Sequence, residues 1–76
     1  MSVRPEQIKA ARELLGWTRP ALAKRVWISS AMVAAIETGR ARSAFTLLAL
    51  KKALEEGGVE ITPWSVKFRD EQPGQG

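Results

Sequence analysis

Five basic side chains lie in the middle of the sequence, and the chemistry they share is the binding of anions. The segment from Thr18 to Ser43 contains a single acidic residue, Glu37, whereas the rest of the chain has seven basic and seven acidic residues that cancel. All of the net charge of +4 therefore falls in this segment. An excess of positive charge confined to one segment favours a polyanionic partner. The basic residues are Arg19, Lys24, Arg25, Arg40 and Arg42.

Other kinds of chemistry have few residues to support them. The chain contains no cysteine and no histidine, which excludes disulfides, thiol nucleophiles, zinc sites built from these ligands and the most common general base. The eight acidic residues are scattered and mostly interleaved with basic ones, a pattern typical of solvated helix faces. We therefore expect no enzymatic activity, no metal site and no cofactor.

Two short amphipathic helices are predicted to position the cations. Each has a narrow apolar stripe, formed by Leu22, Ala23 and Val26 in the first and by Val33 and Ile36 in the second. Neither helix is long enough to be stable alone, so both must pack on a common core. The helices are predicted to meet at a tight corner made by Trp27 and Ile28, after which Ser29 caps the second helix.

The flanking segments predict a mainly α fold. Apolar periodicity indicates a first helix over residues 5–15 and a fourth over residues 44–56, which two glycines then end. The period changes to two on either side of Pro63 and Trp64, which indicates a β-hairpin. The expected architecture is a compact four-helix domain with a C-terminal β-hairpin. Its expected parts are a flexible N-terminus (1–4), the helical domain (5–58), the hairpin (59–69) and a disordered tail (70–76).

The central helix pair also resembles a known family. Its residues follow the spacing S/T-Q-x-x-L-A-x-x-x-G-V/I-S-x-x-x-I/V-x-x-x-E-x-G at eight positions, namely Thr18, Leu22, Ala23, Ile28, Ser29, Val33, Glu37 and Gly39. This pattern marks the helix-turn-helix of phage repressors and of xenobiotic-response-element (XRE) proteins, and the resemblance extends from about Gln7 to Leu54. The chain departs from the pattern where Arg19 and Pro20 replace the usual Gln and its neighbour, and where Trp27 replaces the corner Gly.

The resemblance implies a role for each part of the helix pair. The outward residues of the second helix would face base edges in the major groove, and they are Ser30, Ala31, Met32, Ala34 and Ala35. Phosphate contacts would come from the two helix starts and the following loop, through Arg19, Ser29, Arg40 and Arg42. Arg12 would form a buried structural ion pair with Glu37. Because alanine cannot form bidentate hydrogen bonds to purines, discrimination would depend on apolar contacts, water and DNA shape.

Two tryptophans lie beside this helix pair. Trp17 is expected to enter the core as a large anchor. Trp27 occupies a corner that usually has positive φ, which costs a bulky residue about 1 kcal/mol or more. We expect either a reshaped corner or an indole packed well enough to offset the strain. In the alternative, Trp27 is exposed and contacts a partner protein or a DNA sugar.

These predictions combine into a sequence-specific regulator of transcription that binds double-stranded DNA. The resemblance implies a bacterial or phage repressor that acts as a homodimer on a two-fold symmetric operator. Apolar residues available for the dimer contact are Phe45, Leu48, Trp64 and Phe68. The smooth, alanine-rich face of the second helix also leaves an alternative open, in which the same scaffold is a protein-binding regulator of the anti-activator or antitoxin kind.

The sequence also bears on where the protein acts. No apolar run approaches the length of a membrane span, and no signal-peptide pattern opens the chain. We therefore expect a cytoplasmic protein with no membrane partner.

Overall fold

Four helices and a two-stranded antiparallel hairpin make up the fold, in a computed structural model that describes residues 3–69. The helices are α1 (Pro5–Leu14), α2 (Arg19–Val26), α3 (Ser30–Glu37) and α4 (Ala44–Gly57). The strands are β1 (Val59–Thr62) and β2 (Ser65–Phe68). The predicted mainly α architecture with a C-terminal hairpin is confirmed. Within residues 3–69, no helix combines the length and the apolar content needed to cross a bilayer. The predicted disordered tail, residues 70–76, lies outside the described residues.

Three helices begin at a hydroxyl side chain that caps them. The side chain of Thr18 accepts from the amide of Ala21 (3.1 Å), and Ser29 caps α3 by accepting from the amide of Met32 (3.0 Å). Ser43 caps α4 in the same way. Each hydroxyl satisfies one of the amides that a helix start leaves without an internal partner. These short-range contacts explain why the sequence predicted the helix starts closely.

The apolar stripes of all four helices meet in one core. Its fully buried residues include Ile8, Leu22, Val33, Ile36, Leu50 and Leu54. The face of β1 that carries Val59 and Ile61 closes this core, with Val66 of β2 half-buried beside it. Because the hairpin covers apolar residues of the helices, it is part of the domain's core.

The hairpin is fastened to the start of α1 by polar contacts. The buried amide of Gln7 accepts from the backbone N–H of Arg4 (2.9 Å) and donates to the carbonyl of Thr62 (2.7 Å). The guanidinium of Arg4 donates to the carbonyl of Pro63 at the turn (3.1 Å). Val3 is only 6% exposed and joins the core. The expectation of a loose N-terminus is therefore wrong for Val3 and Arg4, whose packing and hydrogen bonds reach across to the hairpin.

Trp17 lies half-buried between the end of α4 and the side chain of Arg25. A Cβ at position 57 would come within 2.5 Å of Cη2 of this indole, so only Gly57 leaves room for it. On the other side, Cζ of Arg25 lies 4.1 Å from the ring centroid, a cation–π distance. Trp17 thus packs against the core as expected, and its ring also contacts the guanidinium of Arg25.

Candidate nucleic-acid interface

A buried carboxylate joins the first three helices. The side chain of Glu37 is fully buried at the end of α3, and Arg12 of α1 donates to both of its oxygens, from Nε at 2.7 Å and from an Nη at 3.2 Å. Arg12 also donates to the carbonyl of Trp17 (2.9 Å). The ion pair that the resemblance implies is therefore present in the structure. It has the bidentate geometry that makes arginine–carboxylate pairs strong.

Arg19 is the third member of this cluster. Its Nε donates to Oε1 of Glu37 (2.9 Å), although its side chain remains 37% exposed. The family resemblance implies only a phosphate contact for Arg19, and this contact with Glu37 was not predicted. The spacing offered no signal for it, because the pair spans 18 residues and the family pattern has Gln at this position. The contact leaves the two terminal nitrogens of Arg19 available while holding the guanidinium in place.

The outward face of α3 is small and mostly apolar, as its sequence suggested. Ser30, Ala31 and Met32 are exposed, whereas Ala34 and Ala35 are half-buried. On the inner side, Val33 and Ile36 are fully buried, so the helix cannot rotate without exposing core residues. The structure thus presents the start of α3 as a smooth ridge. Of the residues predicted to face base edges, the first three are the most accessible.

The loop after α3 presents two arginines. The backbone amides of Arg40 and Ala41 donate to the carbonyl of Ala35 (2.8 and 3.1 Å), which turns the chain away from the helix. Ala41 packs against the core between them, while Arg40 and Arg42 are exposed. Among residues 3–69, neither arginine forms an ion pair, and the same is true of Lys24 and Arg25. Four cations around α2 and α3 are therefore not neutralised by a nearby acid.

The corner between α2 and α3 contains the residue whose environment differs most from our expectation. Trp27 has φ +62°, the left-handed conformation that the corner requires, and its indole is 92% exposed. The corner was not reshaped, and the packing expected to offset the strain is absent. That expectation is therefore wrong, and the alternative of an exposed Trp27 describes the structure.

The four predicted dimer residues are all exposed. Phe45 and Leu48 of α4 are 82% and 56% exposed, and Trp64 and Phe68 of the hairpin are 87% and 56% exposed. Arg4 contacts the hairpin turn by donating to the carbonyl of Pro63, and it lines a surface cleft together with Ala44 at the start of α4. The four residues therefore do not contribute to the core of a single chain.

A capped, outward-facing α3 flanked by unpaired cations defines a helix-turn-helix protein of the DNA-binding class. Residues 8–64, most of the chain, match the model of a family described as helix-turn-helix. The chain belongs to this family, in its XRE-type branch, and is a DNA-binding regulator. Domains of this family are generally not enzymes. A search of curated proteins finds no match.

Proposed function

We propose that this protein is a bacterial or phage repressor that binds a two-fold symmetric DNA operator as a homodimer in the cytoplasm. The observation that carries the proposal is the set of exposed cations on both sides of the exposed start of α3 that form no ion pair within residues 3–69. Cations without acidic neighbours keep their full attraction for phosphate, and a smooth helix start can lie deep in a major groove. The dimer would place two copies of α3 about one helical turn of DNA apart.

Base edges would be read by α3 with little hydrogen bonding. The hydroxyl of Ser30 can make a hydrogen bond, whereas Ala31, Met32, Ala34 and Ala35 offer apolar contacts that suit thymine methyl groups. Sequence preference would therefore rest on methyl contacts, on bridging water and on the shape of the groove.

Phosphates would be bound on both sides of the groove. Arg40 and Arg42 would bind the backbone from the loop, and Arg19 would bind it through the nitrogens that Glu37 leaves free. Ser29 would contribute its hydroxyl proton, because its oxygen accepts from Met32 while its O–H can still donate. The buried Glu37 would hold Arg19 in position before DNA arrives, which lowers the entropic cost of the contact.

The homodimer would form through the exposed apolar residues of α4 and the hairpin. Phe45 lies in the first turn of α4, directly after the loop that carries Arg40 and Arg42. A contact between two copies at this point would set the spacing between their phosphate-binding loops. Trp64 and Phe68 of the hairpin would extend the contact, with Leu48 completing the α4 side.

The test is a titration of labelled duplex DNA from upstream of the protein's own gene, followed by fluorescence anisotropy. If Arg19, Arg40 and Arg42 of two subunits neutralise about six phosphates, log K should fall against log salt with a slope of about −5. The double variant Arg40→Ala/Arg42→Ala should weaken binding to every duplex and flatten the slope to about −2, because about four phosphate contacts are lost.

A matched control removes the same charge elsewhere. Lys9→Ala/Lys67→Ala also lowers the net charge by two, but it replaces exposed side chains of α1 and β2 that belong neither to the proposed DNA contacts nor to the proposed dimer residues, so it should bind DNA almost as the unmodified protein does. Equal losses in both double variants would mean that only net charge matters. No binding to any duplex at low ionic strength would contradict the proposal and favour the protein-binding alternative.

A further inference from the structure

Trp27 combines two properties that are each costly. It is the one non-glycine residue with positive φ among residues 3–69, and it leaves a large apolar ring 92% exposed. An L-residue in the left-handed conformation is strained, and an aromatic ring that stays exposed contributes no hydrophobic stabilisation. Gly would adopt the same φ without strain. Trp27 therefore does not stabilise the free protein relative to Gly at this corner.

Trp17, the other tryptophan near the helix pair, has packing contacts that Trp27 lacks. Trp17 is half-buried, lies against Gly57 and is covered by the guanidinium of Arg25. Within residues 3–69, Trp27 neither makes a cation–π contact nor belongs to the core. Strain that is not compensated inside a protein tends to mark a functional position. We therefore expect the indole of Trp27 to contact a partner outside the chain.

The position of Trp27 indicates which partner. It precedes the cap of α3, Ser29, by two residues, so it lies at the end of α3 that enters the major groove. Lys24 and Arg25, both exposed, precede it in the last turn of α2, and no acidic residue occurs between Thr18 and Ile36. An exposed aromatic in a cationic setting beside a DNA-reading helix fits a duplex better than a protein surface.

We propose that Trp27 binds the sugar–phosphate backbone at the edge of the groove that α3 occupies. The face of the indole would pack on a deoxyribose, and its N–H would donate to a phosphate oxygen, because a desolvated indole N–H needs an acceptor. This inference rests on the proposed DNA-binding function. The contact would be independent of sequence, since backbone contacts position a protein without reading bases. It would also add nothing to the salt dependence, because the indole is neutral.

The test uses Trp27→Gly, which removes the indole and the strain together, and Trp27→Phe, which retains an aromatic face but loses the N–H. Trp27→Gly should fold with an unchanged or higher Tm, yet bind the upstream duplex and an unrelated duplex about tenfold more weakly, with the same salt slope. Trp27→Phe should lie between this variant and the unmodified protein.

Three results would overturn the inference. Unchanged affinity of Trp27→Gly would show that the indole does not touch DNA. A loss confined to the upstream duplex would indicate base reading, and an altered salt slope would indicate an electrostatic effect. The proposed function fails separately, because it requires the unmodified protein to bind DNA and Arg40→Ala/Arg42→Ala to weaken that binding, whatever Trp27 does.

A second measurement reports on the indole directly. In Trp64→Phe, Trp27 is the most exposed tryptophan that remains, and Trp17 is half-buried. Acrylamide should quench the fluorescence of this variant less efficiently once DNA is bound, because the backbone covers the ring. Unchanged quenching in the bound state would contradict the proposal and leave the indole free for a protein partner.

Discussion

The carboxylate of Glu37 is shared by two guanidinium groups, and its removal should unfold or loosen the domain. In Glu37→Ala, the Arg12 guanidinium would stay buried with only the carbonyl of Trp17 as acceptor, and Arg19 would lie beside it. Stranding a buried charge in this way costs about 3–5 kcal/mol. Urea denaturation followed by circular dichroism should show this loss in the free energy of unfolding.

A surface acid provides the control for this prediction. Glu13→Ala removes a carboxylate that is 58% exposed and lies 3.9 Å from Arg12, so it should change the free energy of unfolding by less than about 1 kcal/mol. A Glu37→Ala protein as stable as Glu13→Ala would show that the buried cluster does not stabilise the fold.

Among single residues, local chemistry was predictable and long-range pairing was not. The cap Ser29 was predictable because a cap depends on the three residues that follow it. The Arg12–Glu37 pair was implied only by the family resemblance. The contact from Arg19 to Glu37 and the exposure of Trp27 depend on how three helices pack together, and no spacing rule contains that information.

At the end of α4, the absence of a side chain at Gly57 leaves space for the indole of Trp17. Gly57 looked like a simple helix stop, yet its missing Cβ is the space that Cη2 of Trp17 occupies. Overpacking in Gly57→Ala should cost about 1–3 kcal/mol, and because Ala gains roughly 1 kcal/mol over Gly in a helix, the net destabilisation should reach at most about 2 kcal/mol. Thermal unfolding of the variant should show a lower Tm.

A double-mutant cycle identifies the cause of that loss. Trp17→Phe shortens the ring that would clash, so Gly57→Ala should cost less in the Trp17→Phe protein than in the unmodified one. If the two costs are equal, the space beside Gly57 is not the reason for its presence, and backbone conformation at the helix end would explain the loss.

The elements themselves were predicted well from periodicity. The spacing of apolar residues changes from helical to alternating after Gly58, which predicted the hairpin, and Pro63 with Trp64 predicted its turn. Its attachment to the rest of the domain was harder to foresee. The hydrogen bonds from Gln7 and Arg4 to the hairpin join residues 55 and 59 positions apart, and neither polar side chain carries a periodic signal.

For the whole molecule, the proposed dimer makes the sharpest prediction. Phe45→Ser/Leu48→Ser replaces exposed apolar side chains, so the fold should survive while sedimentation shifts from a dimer toward a monomer. Binding to the upstream duplex should weaken in parallel, because two half-sites would no longer be bound together. Trp27→Gly removes a ring that is 92% exposed and lies outside the proposed dimer residues, so it should sediment as the unmodified protein does. A monomeric unmodified protein would contradict the proposed assembly.

Fold class and charge distribution were evident at this scale from the sequence alone. A positive segment, flanked by segments whose charges together cancel, predicted a polyanion partner, and the family match agrees with it. The oligomeric state could not be predicted in this way. Exposed apolar residues indicate that the protein binds another molecule, but they do not show which one. In a chain this short, two copies joined at α4 and the hairpin would also enlarge a small core.

The salt links at Glu37 have one consequence for how α3 meets its target. Apolar packing has no preferred direction, whereas a bidentate arginine–carboxylate pair has a defined geometry. Arg12 of α1 and Arg19 of α2 both pair with Glu37, the last residue of α3. The tilt of α3 should therefore stay constant when apolar side chains of the core rearrange.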